Sequence, residues 1–528
     1  MVVSLWLRPW AWFAPQHRRV LVEGTIEVPA GQMAPLYLFA PASLAVEVEG
    51  STRSTETVAQ MLVRADDGAG GPQVPMTLAQ LAFPLRRTPA VRIGLQQGTV
   101  ALLGWPEAPE RVHGDAAPVT DDEHRSRDLM LRAEAVWDRI SDVDDLLTDP
   151  AILWPALRDR WTGRDPAAPK MDVIVRQARD LDRVIAALGA RPRRVLRRVH
   201  QPVPLARVQE VDRRTMLWLA RQPGETLEER AGDRQRVLAV AREEDLDTLE
   251  NRVLRAYCTQ ADRHGRDYLA RNRTRRDTRR ARRVEAFAQH CHRLARDLAD
   301  RGVRLAEPGV NPNFVLQENP AYRAVWLAWE ELRRHDRVRD ELWQWQARSW
   351  EEFCGLALMV AALSVPGAQV VSTWPLWFRD EHRRGQWIDA GTPLGVVYLP
   401  GPRLVVEVQR AASGVAASRW AASLWLRVGR LDQRDDALAR VPVWPIWAPA
   451  GGVVPGEADE LARLLDQHGQ PDMRGGILLR PAAGTDEEPP ERRGDVIAAA
   501  LGTEGMALSA TLDAITAHLA NLFQDLSG

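Results

Sequence analysis

From Phe353 to Phe378 the chain carries no charged residue, and this run constrains the fold more than any other stretch. Its length would suit a membrane span, but Pro366-Gly367 interrupts it. A buried helix followed by a buried strand fits both facts. Trp350, Phe353, Cys354, Ala357, Leu358 and Ala361 form one helical face, and Leu356, Met359 and Val360 make the remainder apolar too. A helix apolar on all sides belongs inside a core. Ser349-Trp350-Glu351-Glu352 reads as the capping box that opens it. Strand-like segments follow at Gln369 to Trp374, Thr392 to Leu399 and Arg403 to Gln409, with Pro400-Gly401-Pro402 as the turn between the last two. A mixed helix is expected from Val415 to Val428. Strands are then expected from Val441 to Trp447 and Gly476 to Leu479, and an amphipathic helix near Leu508 to Phe523.

A chain of 528 residues is too long for one hydrophobic core. Before the apolar run, two regions differ in pattern. The first is β-rich: Leu44, Val46 and Val48 alternate with Ala45, Glu47 and Glu49, and Val20 to Val28 and Thr99 to Trp105 are similar. Beyond the polar segment His113 to Glu123, helical signals dominate. Leu246, Leu249, Val253, Tyr257 and Cys258 mark one helix, with Asp247 and Glu250 as a capping-box-like start. Asn319-Pro320 places an N-cap and a first-turn proline before Tyr322, Val325, Trp326 and Trp329. The expected fold class is therefore α+β multidomain. A β-rich N-terminal domain spans 1–115, a helical domain 125–346, and a C-terminal α/β domain 347–528. The N-terminal segment lacks the order of a signal peptide, so a cytoplasmic protein without membrane contact is expected.

The candidate chemistry sits on the third strand of the C-terminal region. The order helix, three strands, helix, strand is that of the PD-(D/E)xK nuclease core, where an Asp and a Glu hold Mg²⁺ and a Lys lies two residues beyond the Glu. Side chains at i and i+2 of a strand share a face, so the pair looks into one cleft. Leu404, Val406 and Val408 share one face of this strand, and Val405, Glu407 and Gln409 the other. An acid on a central apolar strand is costly unless paired or metal-bound, which leaves Glu407 as metal ligand or as ion-paired structural acid. Gln409 stands at the lysine position and carries no charge. Lys170 is the only lysine in the chain and is remote in sequence. The aspartate position falls on Leu394, with Asp389 as a substitute that a turn would equally explain. Glu352 is either a helix-borne catalytic acid or part of the capping box.

Glu210-Val211-Asp212, Trp218-Leu219-Ala220-Arg221-Gln222-Pro223-Gly224, Arg236 to Val240 and Asp247-Thr248-Leu249-Glu250-Asn251-Arg252-Val253-Leu254 together resemble the helical domain of McrC-like restriction-system subunits. In that family a TxENR helix precedes a PD-(D/E)xK domain, and Glu250-Asn251-Arg252 is the most specific piece of the resemblance. It extends over roughly residues 190 to 480, and Trp350 to Leu363 is similar to the family's first nuclease helix. The resemblance implies an AAA+ ATPase partner, stimulation of its nucleotide hydrolysis, and DNA as the target in bacterial antiviral defence. No GxxxxGK[ST] loop is present, so the chain is not itself that motor. The departures at the Asp and Lys positions imply a degenerate, inactive nuclease domain. The alternative is an active Mg²⁺-dependent endonuclease with Asp389 and Glu407 as metal ligands, and with Gln409 and Glu352 assisting.

The net charge of −1 confines any nucleic-acid surface to a local patch. Arg271, Arg273, Arg275, Arg276, Arg279, Arg280, Arg282 and Arg283 form one, suited to a DNA backbone. The other reading is a solvated face or pairing with the acid-rich Glu243 to Asp247. Arg191, Arg193, Arg194, Arg197 and Arg198 form a second cluster. His290-Cys291-His292 lacks a second ligand pair, so no metal is expected there. No nucleophile elbow or dinucleotide fingerprint marks the chain as an enzyme.

Overall fold

The computed structural model describes residues 3–21, 24–27, 36–43, 47–48, 55–64, 73–81, 91–95, 98–103, 121–146, 153–163, 172–272, 278–373, 393–410, 419–431, 437–448, 451–484, 488–503 and 505–526. They form two compact units. One comprises 1–112, 116–166 and 337–528, and the other 113–115 and 167–336. The architecture is α+β, with N-terminal sheets, a helical middle region and a C-terminal sheet.

In the first unit, β1 (Ser4–Trp6), β2 (Arg18–Val20), β4 (Tyr37–Pro41), β6 (Thr55–Arg64) and β7 (Gln73–Leu81) form a sheet of order β2-β1-β4-β7-β6. A second sheet, β3-β9-β8-β5, contains β3 (Gly24–Glu27), β5 (Glu47–Val48), β8 (Val91–Leu95) and β9 (Gly98–Leu103). Helices α1 (Asp121–Leu146) and α2 (Leu153–Thr162) follow. Of the expected Leu44–Val48 strand, only 47–48 lie among the described residues.

The second unit begins with α3 (Val173–Asp180) and α4 (Asp182–Ala190). A two-stranded antiparallel ribbon, β10 (Val195–Pro204) and β11 (Arg236–Asp245), brackets α5 (Arg213–Ala220) and α6 (Leu227–Arg230). Then come α7 (Leu249–Arg271), α8 (Arg279–Asp300), α9 (Phe314–Glu318) and α10 (Pro320–Ser364). The core of this unit gathers Ile174, Ile185, Tyr257, Phe287, Leu298 and Leu332. Asn319 caps α10 as expected, accepting from the backbone of Ala321 and Tyr322.

Ser349 does not open a helix. It lies inside α10, which runs through to Ser364. An S-x-x-E pattern in a helix interior has no orphan N–H groups to satisfy, because the preceding turn has already used them. The distal part of α10 is apolar all round, as expected, and packs in the core of the first unit with Leu404, Val406 and Val408.

That core is built on an eight-stranded sheet of order β12-β13-β14-β15-β16-β17-β19-β18. Its strands are β12 (Gln369–Thr373), β13 (Pro393–Leu399), β14 (Leu404–Arg410), β15 (Leu424–Arg430), β16 (Ala439–Pro445), β17 (Gly476–Pro481), β18 (Glu491–Arg493) and β19 (Val496–Leu501). Among the described residues of this region, α11 (Glu457–His468) and α12 (Gly505–Asp525) are the long helices that follow the strands β16 and β19. Of the helix expected over 415–428, residues 415–418 lie outside the described residues and Arg419–Trp420 are helical, but Leu424–Arg430 is a strand, antiparallel to both β14 and β16. Its residues are buried on both faces at one end, and a short run apolar on both faces does not reveal its period. The sheet is antiparallel from β12 to β16, and parallel pairing starts at β16–β17, the two strands joined through α11. Arg480 of β17 and Glu457 of α11 form a buried bidentate pair at 2.7 and 2.9 Å, and Arg8 also reaches Glu457 at 2.7 Å. Breaking such a pair leaves a buried charge uncompensated, at a cost of about 3–5 kcal/mol.

Candidate functional site

Strand alternation places Leu404, Val406 and Val408 in the core and leaves Val405, Glu407 and Gln409 half-buried on the other face. Glu407 pairs in register with Arg427 of β15. The Arg427 Nη1 lies 3.2 Å from Glu407 Oε2, and Gln409 Nε2 donates to the same oxygen at 2.6 Å. The i, i+2 geometry expected of Glu407 and Gln409 is therefore real, but their mutual bond and Arg427 both occupy Oε2 of the carboxylate. Arg427 in turn stands opposite Arg440 of β16, whose Nε approaches Asp472 at 3.4 Å. Glu407, Arg427, Arg440 and Asp472 thus make a row of charges across the sheet. The Glu407 side chain is 21 % exposed, and a partly solvated pair of this kind is worth up to about 1 kcal/mol.

Glu352 lies elsewhere. It is buried on α10, 3.7 Å from Arg348 Nε, and α10 packs on the opposite face of β14 from Glu407. Its neighbour Glu351 is the helix acid that meets the strand, accepting from Arg410 Nε at 2.6 Å and from Arg348 Nη1 at 3.2 Å. Burial pushes the Glu351 carboxyl up, against the opposing pull of Arg348 and Ser423. Leu394 is buried in the core, and Asp389 lies outside the described residues. Among the described residues no three His, Cys, Asp or Glu side chains converge as a metal-binding group. Sequence reasoning missed Arg427 because its segment read as helix, and the register that sets it across from Glu407 comes from the strand pairing.

The Glu250-Asn251-Arg252 motif is a polar clasp in the second unit. Thr248 caps α7, taking the role expected of Asp247, and accepts from Asn251 N. Asn251 is fully buried. Its Nδ2 donates to the carbonyls of Arg193 (2.7 Å) and Leu246 (2.8 Å), and its Oδ1 accepts from the Tyr322 hydroxyl at 2.8 Å. That hydroxyl also accepts from Arg193 N at 3.0 Å. Glu250 binds Arg193 Nη1 at 2.6 Å and Asn313 Nδ2 at 2.8 Å. Burial alone would raise the Glu250 pKa, but these donors and the helix-start N–H bring it below the usual value. Arg252 grips Asp247 with two bonds of 2.7 and 2.6 Å, and Arg304 adds backbone and guanidinium donors to the same carboxylate. Arg252 first, then Arg304, hold the Asp247 carboxyl far below the ordinary range. The motif therefore ties the start of β10, the start of α7, the 303–313 loop and α10 together.

The arginine patch divides. Arg271 ends α7, and Arg273, Arg275 and Arg276 lie outside the described residues. Arg279, Arg280, Arg282 and Arg283 occupy the first turns of α8 beside the Thr278 cap, with Arg279, Arg282 and Arg283 exposed. The acid-rich segment serves the other cluster: Arg194 pairs with Glu244 at 2.8 Å and Arg197 with Asp245. Arg198 pairs with Glu210 at 2.8 Å. His290 contacts Asp182, and His292 contacts Asp262.

Residues 170–329 match a family model described as a domain of unknown function (DUF2357). The whole clasp, from Arg193 to Tyr322, falls within that match. A solved structure, a refined half-complex from a tetradecameric assembly of Thermococcus gammatolerans McrB AAA+ hexamers with bound McrC, is similar at 11 % identity. The similarity covers 84 % of this chain and 84 % of that one, with a TM-score of 0.20. No curated protein matches. No helix among the described residues is long and apolar enough to cross a membrane.

Proposed function

We propose that this chain is a McrC-like subunit of a bacterial DNA-targeting restriction system, an adaptor for an AAA+ ATPase whose own nuclease domain is degenerate. In this reading 1–115 engages the ATPase, 125–346 is the helical domain, and 347–528 is the PD-(D/E)xK-like remnant. The adaptor part rests on the residue-level resemblance over 210–254. The degenerate part rests on one observation: the carboxylate of Glu407 is already held by Arg427 and Gln409. Both contacts fall on Oε2, so a Mg²⁺ ion ligated through that oxygen would compete with the Arg427 guanidinium. The arginines at the start of α8 support DNA contact. A helix N-terminus disfavours cations by about 0.3–1 kcal/mol each, so helix stability does not account for them.

The test is affinity purification of the tagged full chain from its own host, followed by nucleotide-hydrolysis and DNA-cleavage assays on the recovered complex. Recovery of an AAA+ ATPase whose hydrolysis is stimulated supports the reading. Absence of such an ATPase overturns the adaptor role. Mn²⁺- or Mg²⁺-dependent cleavage lost in Glu407→Ala would replace the degenerate site by an active endonuclease.

A further inference from the structure

Between β10 and β11 the second unit carries a small lobe whose buried apolar side chains are Leu219, Ala231 and Val237. Helix α5 turns Thr215 and Leu219 inward. Its opposite side carries Arg213, Met216, Leu217 and Ala220, spaced to share one face. Met216 is 59 % and Leu217 52 % exposed. Arg213, Arg214 and Arg221 flank this stripe, all exposed and without a side-chain hydrogen bond or ion pair among the described residues. The arginines at the far end of the ribbon differ, since Arg194, Arg197 and Arg198 each have a carboxylate partner.

The face is held in place. Asp212 caps α5, accepting from the Thr215 backbone at 2.9 Å and its hydroxyl at 3.0 Å, and its other oxygen lies 2.7 Å from His200 Nε2 on β10. The Thr215 backbone bond is the main cause that lowers the Asp212 pKa to about 2. An exposed Met-Leu stripe flanked by arginine and a half-buried Trp218 has the composition of an interface core, where Met, Arg and aromatic residues are enriched.

We propose that α5 is a docking helix for a protein partner whose receiving groove has an apolar floor and a rim of Asp and Glu. Charge complementarity selects this occupant. Three exposed guanidinium groups with no internal carboxylate give this face an unneutralised positive rim, which a rim of carboxylates complements. A second copy is disfavoured, because a two-fold contact sets the same arginines against each other. A phosphate backbone would satisfy the arginines but would leave Met216 and Leu217 without apolar contact. The inference is independent of the restriction-system reading, which concerns the identity of the partner and not the chemistry of its groove.

The test replaces Met216 by the photo-crosslinker p-benzoylphenylalanine in the full-length chain, irradiates cells of its own host, and maps the cross-linked peptide by mass spectrometry. The expected adduct is a protein segment with apolar and acidic residues. Arg213→Glu, Arg214→Glu and Arg221→Glu together should lower the adduct yield about tenfold or more, with the melting temperature unchanged. Reversing the mapped partner carboxylates to Arg should restore it. If the triple variant melts early, Arg214→Glu alone with the matching partner reversal carries the same test. An adduct between two copies, an adduct to nucleic acid, no adduct, or an adduct indifferent to charge reversal overturns the proposal. An adduct that behaves as expected on a protein other than an ATPase upholds it while counting against the adaptor reading.

Discussion

Arg427 stands directly across the strand pair from Glu407, its Nη1 3.2 Å from the carboxylate Oε2 that also accepts from Gln409. The residue that most resembles a metal ligand is thus already neutralised by its neighbour strand.

Glu407→Ala should lower stability by no more than about 1 kcal/mol, the range of partly exposed ion pairs. It should leave binding of the proposed ATPase partner unchanged. Thermal unfolding and a pull-down on the same variant check both, and loss of complex assembly would show that Glu407 supports the interface.

Asn251→Ala strips the clasp of its centre: the Tyr322 hydroxyl loses its acceptor and the Arg193 carbonyl its side-chain donor, while the Leu246 carbonyl keeps the Thr248 N–H. Buried groups left unsatisfied cost about 1–3 kcal/mol each, so the second unit should lose several kcal/mol. Tyr322→Phe leaves the buried Asn251 Oδ1 and the Arg193 N–H without that hydroxyl and should cost about 1–3 kcal/mol. Hydrogen exchange at α7 and α10, compared between the two variants, reads the difference.

Burial and then the nearby Arg492 hold the imidazole of His518 down, to about 4 from 6.5. Between these values an unfolded chain takes up a proton that the folded chain refuses. Stability should therefore fall as pH drops from about 6.5 towards 4, by on the order of 3 kcal/mol. His518→Leu should flatten that slope, since His518 Nε2 has no hydrogen-bond partner among the described residues. Urea unfolding at a series of pH values measures it, and an unchanged slope would assign the acid sensitivity to other groups.

Arg279→Gln, Arg282→Gln and Arg283→Gln together should weaken binding to double-stranded DNA at low salt. The slope of log K against log salt should become shallower by about 0.9 for each phosphate that is no longer neutralised. Helix content should hold or rise slightly, because cations leave a helix N-terminus. A slope identical to that of the unaltered chain would make this face a solvated one.

Period and punctuation in the amino-acid order determined much of the architecture. The apolar run broken at Pro366-Gly367 became the distal part of α10 and β12, but β12 is an exposed edge strand and not the buried strand expected, with Val371 63 % exposed, and Asn319-Pro320 marked a helix start. The alternation in Leu404–Gln409 set which face Glu407 occupies. These signals are local, because side-chain direction along one helix or strand follows from backbone geometry alone. Tertiary structure decided what lay outside that range. Leu424–Arg430 is a strand because it is paired on both sides, and a short apolar run does not carry its own period. Ser349 resembled a cap, yet the helix before it had already supplied the hydrogen bonds. The partners of Glu407 and Asn251 come from Arg427 on the neighbouring strand and from Arg193 and Tyr322, far off in the chain. A carboxylate's role as ligand or as ion-paired acid depends on which charges fold against it, and that is a property of the assembled sheet.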